Sequence, residues 1–179
     1  MQFPDSELWD FSVNFYRLGS VEKACLRLQD QFGLNVNLVL FCHWLALKKQ
    51  QVLKLEQWQL LVSAALPWDE TITMLRKSRK LIGTTNIAWP SSFEKKTKDE
   101  VINIELNTEH MQQLAIEQAW QQMKVESCNE ETESIIRQNI SHYLLASNSQ
   151  FSVDDIWQDL QLLLTAAHQH QNSNQTIAL

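Results

Sequence analysis

Apolar residues recur at helical spacing along most of the chain. Ser6 is placed to cap a first helix to about Leu18, with Leu8, Trp9, Phe11, Phe15 and Tyr16 as its apolar positions. Gly19 ends it, and Ser20 is positioned to cap the next. Val21, Ala24, Cys25, Leu28 and Phe32 then follow the i, i+3, i+4, i+7 rhythm of an amphipathic helix, which Gly33 stops. From Asn35 to about Lys48 the pattern changes. This stretch is apolar nearly all round, the mark of a helix buried on most sides, and it is expected to form the centre of the core.

Helix is expected again from Leu55 to Leu66. Pro67 either kinks that helix or opens a new one, because its ring removes an N–H and crowds the preceding turn. The pattern resumes through Ile72, Leu75, Arg79 and Ile82, and Gly83 closes it. Residues 84–97, with Trp89-Pro90-Ser91-Ser92 inside, read as a loop and the best internal hinge. A long helix is predicted over 98–124, with Asn107 or Thr108 as an alternative cap for a second helix where the pattern weakens. Two more follow at about 130–146 and 153–168, the latter opened by the capping-box variant Ser152-x-x-Asp155. No strand pattern and no internal repeat is visible. The expected fold is all-α: an irregular bundle of about six to seven helices around a buried central helix at 35–48. One helical domain over 1–168 precedes a flexible polar tail over 169–179.

Composition narrows the possible chemistry. Only Gly19, Gly33 and Gly83 are present in 179 residues, so there is little material for glycine-rich phosphate loops, and the common nucleotide fingerprints are absent. The three cysteines, Cys25, Cys42 and Cys128, form no Cys-x-x-Cys pair. The amino terminus lacks a basic and apolar leader, and the longest apolar run, Leu38–Leu47, is about half a membrane span. A cytoplasmic location without a membrane span is expected.

Charge is uneven. Residues 1–100 carry 13 Lys and Arg against 11 Asp and Glu, whereas residues 101–179 carry 2 against 10. Such asymmetry marks either a partner surface or two halves that attract each other.

Several constellations admit both a structural and a functional reading. Gln29 and Asp30 sit in the last turn of the second helix, where an acid meets the negative end of the helix dipole. The structural reading has Asp30, with Asn35 and Asn37, satisfying open amides around Gly33; the functional reading makes them a polar cluster at the mouth of the core. Glu105 and Glu109 share a helix face, and Arg76 and Arg79 are their natural partners across an interface. No Glu-x-x-His pair accompanies them, so neither a metal nor another cofactor is expected. Residues 76–98 carry seven Lys and Arg against Glu94, with Trp89 between the clusters, which suits either an anionic strand or a solvated loop facing the acidic half. With a net charge of −6, the second is preferred. His43, in line with Leu40 and Leu47, reads as a hydrogen-bonded core histidine.

The run Leu28-Gln29-Asp30-x-x-Gly33-x-x-Val36-Asn37-Leu38, followed by an apolar stretch to Trp44, resembles the signature of a bacterial family of small helical proteins known only as a domain of unknown function. The likeness extends to Trp9, Phe11, Ser12 and Tyr16, to Leu75, Arg76 and Arg79, and to Glu105, Leu106 and Glu109. It covers most of the first 120 residues and implies an all-α fold without naming an activity. The expected role is therefore a non-enzymatic adaptor or regulatory module whose partner is a protein rather than a nucleic acid. The alternative is a small helical enzyme or ligand-binding protein. The candidate residues for either are Gln29, Asp30, Asn37, Arg76, Arg79, Glu105 and Glu109.

Overall fold

A computed structural model describes residues 3–82, 84 and 91–177, with residues 91 and 170–177 described by their backbone alone. The described residues form seven α-helices: α1 (Glu7–Tyr16), α2 (Val21–Phe32), α3 (Val36–Trp44), α4 (Leu55–Ile82), α5 (Ser91–Gln121), α6 (Thr132–Ala146) and α7 (Val153–Ile177). A π-helical turn, Leu45–Lys49, extends α3. No strand occurs among the described residues. The protein is an all-α bundle.

Local chemistry explains most boundaries. Ser6 Oγ accepts from the Trp9 amide at 3.0 Å, so α1 starts where a capping side chain is available. Gly33 takes φ +65°, a left-handed conformation that costs glycine little. Its amide bonds Gln29 O and the next amide bonds Leu28 O, closing the open carbonyls of α2. Asn35 caps α3 through Leu38 N. Asp155 accepts from both the amide and the hydroxyl of Ser152 at 2.7 Å, the acidic half of the expected capping box.

Four expectations are corrected. Ser20 makes no side-chain cap: its backbone is already in the helical region, and Val21 N bonds Leu18 O in a turn leading directly into α2. Pro67 does not open a new helix but lies inside α4 on an exposed position, where the lost hydrogen bond faces water and need not end the helix. Helix α5 begins at Ser91, so residues 91–97 are helical. The helix-forming run Glu94-Lys95-Lys96 outweighs the turn signal of the serines. Neither Asn107 nor Thr108 caps a new helix; Thr108 Oγ1 instead donates to Ile104 O, one turn back. The proposed hinge centred on Trp89 lies outside the described residues. At the other end α7 runs on to Ile177, past the boundary expected at His168.

Helix α3 is the centre of the core. Every residue from Asn37 to Trp44 is buried, as the all-round apolar pattern requires. Phe41 meets Trp44 and the edge of Trp58, and Trp44 stands edge-on to Trp120, so aromatic rings from three helices close around it. His43 Nδ1 bonds Val39 O at 2.9 Å inside this core, and burial pulls its pKa from 6.5 to about 4. Below α3, buried Asn139 of α6 accepts from Leu53 N and donates to Gln51 O, tying down the segment that leads into α4.

Candidate functional site

Helices α4 and α5 are antiparallel neighbours, and the arginines and glutamates meet between them. Arg79 grips Glu105 with two nitrogens, at 2.7 and 3.1 Å. Arg76 reaches Glu105 at 3.2 Å and Glu109 at 2.5 Å. The Glu105 side chain is only 9% exposed, so this four-residue network stands in a partly desolvated setting where charge-assisted bonds are stronger than on an open surface. Burial raises the pKa of Glu109 above the ordinary carboxylate range, and Arg76 pulls it back only in part.

Asn37, at the start of α3, lies on the other side of this network. Its Nδ2 donates to Gln112 Oε1 at 2.6 Å, and its Oδ1 accepts from Gln113 Nε2 at 2.7 Å. Gln112 in turn donates to Ala65 O at 2.9 Å and to Asp69 Oδ1 at 2.6 Å, and Asn35 donates to the same carboxylate oxygen. Burial raises the pKa of Asp69 as well. The result is a buried relay of amides running from α4, through α5 and α3, back to α5.

Two clefts open on either side of the relay, each about 370 Å³. The first is the more polar of the two and lies where α2, α3, α4 and α5 meet: Asp69 and Gln112 are in its wall, with Asp30, Lys77 and Lys80 around the opening. The second is more apolar and brings five helices together: Trp9, Val13, Leu26, Val36, Leu40 and Leu106 make its walls. Gln29, Val36, Asn37 and Arg76 belong to both. The clefts are therefore neighbours separated by single side chains.

All seven candidate residues line this pair. Gln29, Asn37 and Arg76 stand between the clefts, Asp30 lies on the first, and Arg79, Glu105 and Glu109 lie on the second. The capping role expected for Asp30 is not observed. No backbone amide among the described residues donates to its carboxylate, which is exposed, accepts from the Gln29 side-chain amide at 3.4 Å and lies 4.0 Å from Lys80. The backbone bonds at Gly33 already close that helix end, so nothing there needs an acid.

Sequence reasoning missed Ser12, Asp69, Gln112 and Gln113 as members of the site. Gln112 and Gln113 continue the face of Glu105 and Glu109 at i+7 and i+8, so a polar stripe was visible there. Ser12 stood out only through the family likeness, and Asp69 carries no comparable signal. The basic run also loses two members, since Arg76 and Arg79 are paired within the protein. Among the described residues, no group of three or more His, Cys, Asp or Glu is placed to hold a metal ion. No helix among them is long and apolar enough to cross a membrane.

The fold and the adjoining clefts define a helical bundle with a polar seam through its core. Residues 7–116 match the family described as "Protein of unknown function (DUF2390)", and the chain belongs to that family. The matched span begins at α1 and ends within α5, so it contains the whole lining of both clefts. No curated protein and no solved structure matches the chain.

Proposed function

We propose that this protein is a non-enzymatic module that binds a small organic molecule in the adjoining clefts between α1, α2, α3, α4 and α5. The observation that carries this reading is the convergence of all seven candidate residues on two adjoining clefts with a buried amide relay between them. Concave sites with apolar walls and a few convergent polar groups are the usual form of small-molecule sites, and 370 Å³ falls within their usual size.

The test is a thermal-shift screen of the purified full chain against fractionated small-molecule extract, with mass spectrometry of what co-purifies. A stabilising fraction whose effect is lost in Asn37→Leu, or in the milder Gln29→Ala, supports the reading. Stabilisation that is the same in both variants, or none in any fraction, overturns it.

A second reading, the protein-binding adaptor, is favoured by a separate observation. Met74, Leu81, Phe93 and Ile104 are more than half exposed on the outer reach of α4 and α5. Exposed apolar residues grouped on one projecting element suit a protein partner better than a solute. A bacterial cytoplasm suits either role, because all three cysteines are free thiols.

A further inference from the structure

The amide relay has a direction. Ala65 O can only accept, so the nitrogen of Gln112 must face it and the oxygen of Gln112 must face Asn37. Asn37 therefore presents its nitrogen to Gln112 and its oxygen to Gln113, and Gln113 presents its nitrogen to Asn37. The last atom in the series is Gln113 Oε1. It is buried, and no donor among the described residues meets it. Gln113 as a whole is 2% exposed and lines the apolar cleft.

A second orphan lies in the same lining. Ser12, on α1, is 3% exposed, and its Oγ has no hydrogen-bond partner among the described residues. Buried polar atoms are almost always paired, because leaving one unmet forfeits its hydration without return. Two such atoms, on different helices and both on residues that line one cleft, point to a ligand group on that side. A flipped Gln113 amide does not remove the problem, since it would set two oxygens against each other at Asn37.

We propose that this cleft takes a small uncharged molecule with an apolar body and one N–H or O–H group, whose donor reaches Gln113 Oε1. The inference rests on the ligand-binding reading above and names its ligand class. Ser12 Oγ, able to donate and to accept, meets the same polar end of the molecule. The apolar body lies against Trp9, Val36 and Leu40. Arg76 and Arg79 are matched by Glu105 and Glu109, so the charged groups there leave no excess charge for an ionic ligand to meet. Exposed Arg17, also in the lining, is the one group that would favour an anion.

Indole and 1-methylindole differ chiefly in the donor, and indole-3-acetate adds a negative charge. Each is titrated into the isotope-labelled full chain and followed by two-dimensional NMR. Indole is expected to shift Ser12, Trp9 and the Gln113 side-chain amide saturably, and 1-methylindole to bind at least about 5-fold more weakly, as loss of a donor to a buried acceptor requires. Gln113→Leu should bring indole down to the affinity of 1-methylindole. If that variant does not fold, the comparison on the natural chain still decides. Equal affinity of the two compounds, tighter binding of indole-3-acetate, or shifts confined to Asn35 and Asp69 would overturn the inference. Absence of indole binding alongside a stabilising extract fraction overturns it alone; absence of both overturns the ligand-binding reading too.

Discussion

Asp30 and His43 show how differently two polar residues fare when the same chain folds. Asp30 looks constrained in the sequence but stands in water at 57% side-chain exposure, with Lys80 at the limit of ion-pair distance. Asp30→Ala should therefore change stability by less than about 0.5 kcal/mol in urea unfolding, as surface changes do. A loss above 1 kcal/mol would restore the capping role.

His43 is the opposite case. Its ring is fully buried, and its pKa falls from 6.5 to about 4 because the cation is poorly solvated there. A base with a lowered folded pKa binds its proton more readily when unfolded. Its contribution therefore favours folding above about pH 6.5 and is lost as pH falls toward 4, with a slope of up to about one proton, or 1.4 kcal/mol per pH unit. Asp69 and Glu109, whose pKa values are raised, give slopes of the opposite sign in the carboxylate range. An NMR titration isolates the histidine: His43 ring resonances should remain those of the neutral form at pH 5.

At the scale of elements, the α4–α5 pairing is held by a charge network that sequence spacing alone suggested. Two arginines and two glutamates three and four apart, on segments joined by one short connection, favour antiparallel neighbours. The contacts of Arg76 and Arg79 with Glu105 and Glu109 bear this out. Both arginines are under a third exposed, so a double-mutant cycle on Arg76 and Glu105 should give a coupling of about 1 kcal/mol, at the upper end for surface pairs. Coupling indistinguishable from zero would mean that the two side chains act independently in solution.

Elements were legible wherever one local rule acted alone. Val21–Phe32 has a clean apolar face and a glycine stop, and the observed helix has those bounds. Boundaries failed where two rules competed. At Pro67 the proline rule lost to continuous packing of Trp58, Leu61, Ala65 and Ile72 on one face. At 91–97 turn-forming serines lost to helix-forming charged residues that follow. The site was half legible for a similar reason. Charged pairs announce themselves by complementarity, whereas an amide such as Gln113 is defined only by what lies opposite it across the core.

Across the whole molecule, three arginines of the first half meet carboxylates of the acidic second half. Arg27 of α2 pairs with Asp159 of α7, and Arg76 and Arg79 pair with Glu105 and Glu109, each joining residues before 100 to residues after it. The charge asymmetry thus belongs at least partly to the fold rather than to a partner. Around these pairs the apolar residues of all seven helices form one cluster centred on α3. Leu40, 3% exposed and in the wall of the apolar cleft, should cost about 2–5 kcal/mol when replaced by alanine. A cost below 1 kcal/mol would mean that the cleft already lets that side chain relax, and that the centre of the core lies deeper.

The outer reach of α4 and α5 leads to a different kind of consequence. No described residue of α4 after Ile72, and none of α5 before Glu105, is buried. These turns are held mainly by their own backbone ladders and by the side chains they offer each other. Their opening need not wait for the rest of the protein. Deuterium uptake should divide the long helices in two: amides of residues 92–102 exchanging through cheap local openings, and those of 112–120 only with global unfolding, at rates separated by at least about 100-fold. Addition of a mild denaturant should speed the second group while leaving the first nearly unchanged. One helix would then report two stabilities, with the Arg76–Glu105 network marking the boundary between a part that keeps time with the core and a part that keeps its own.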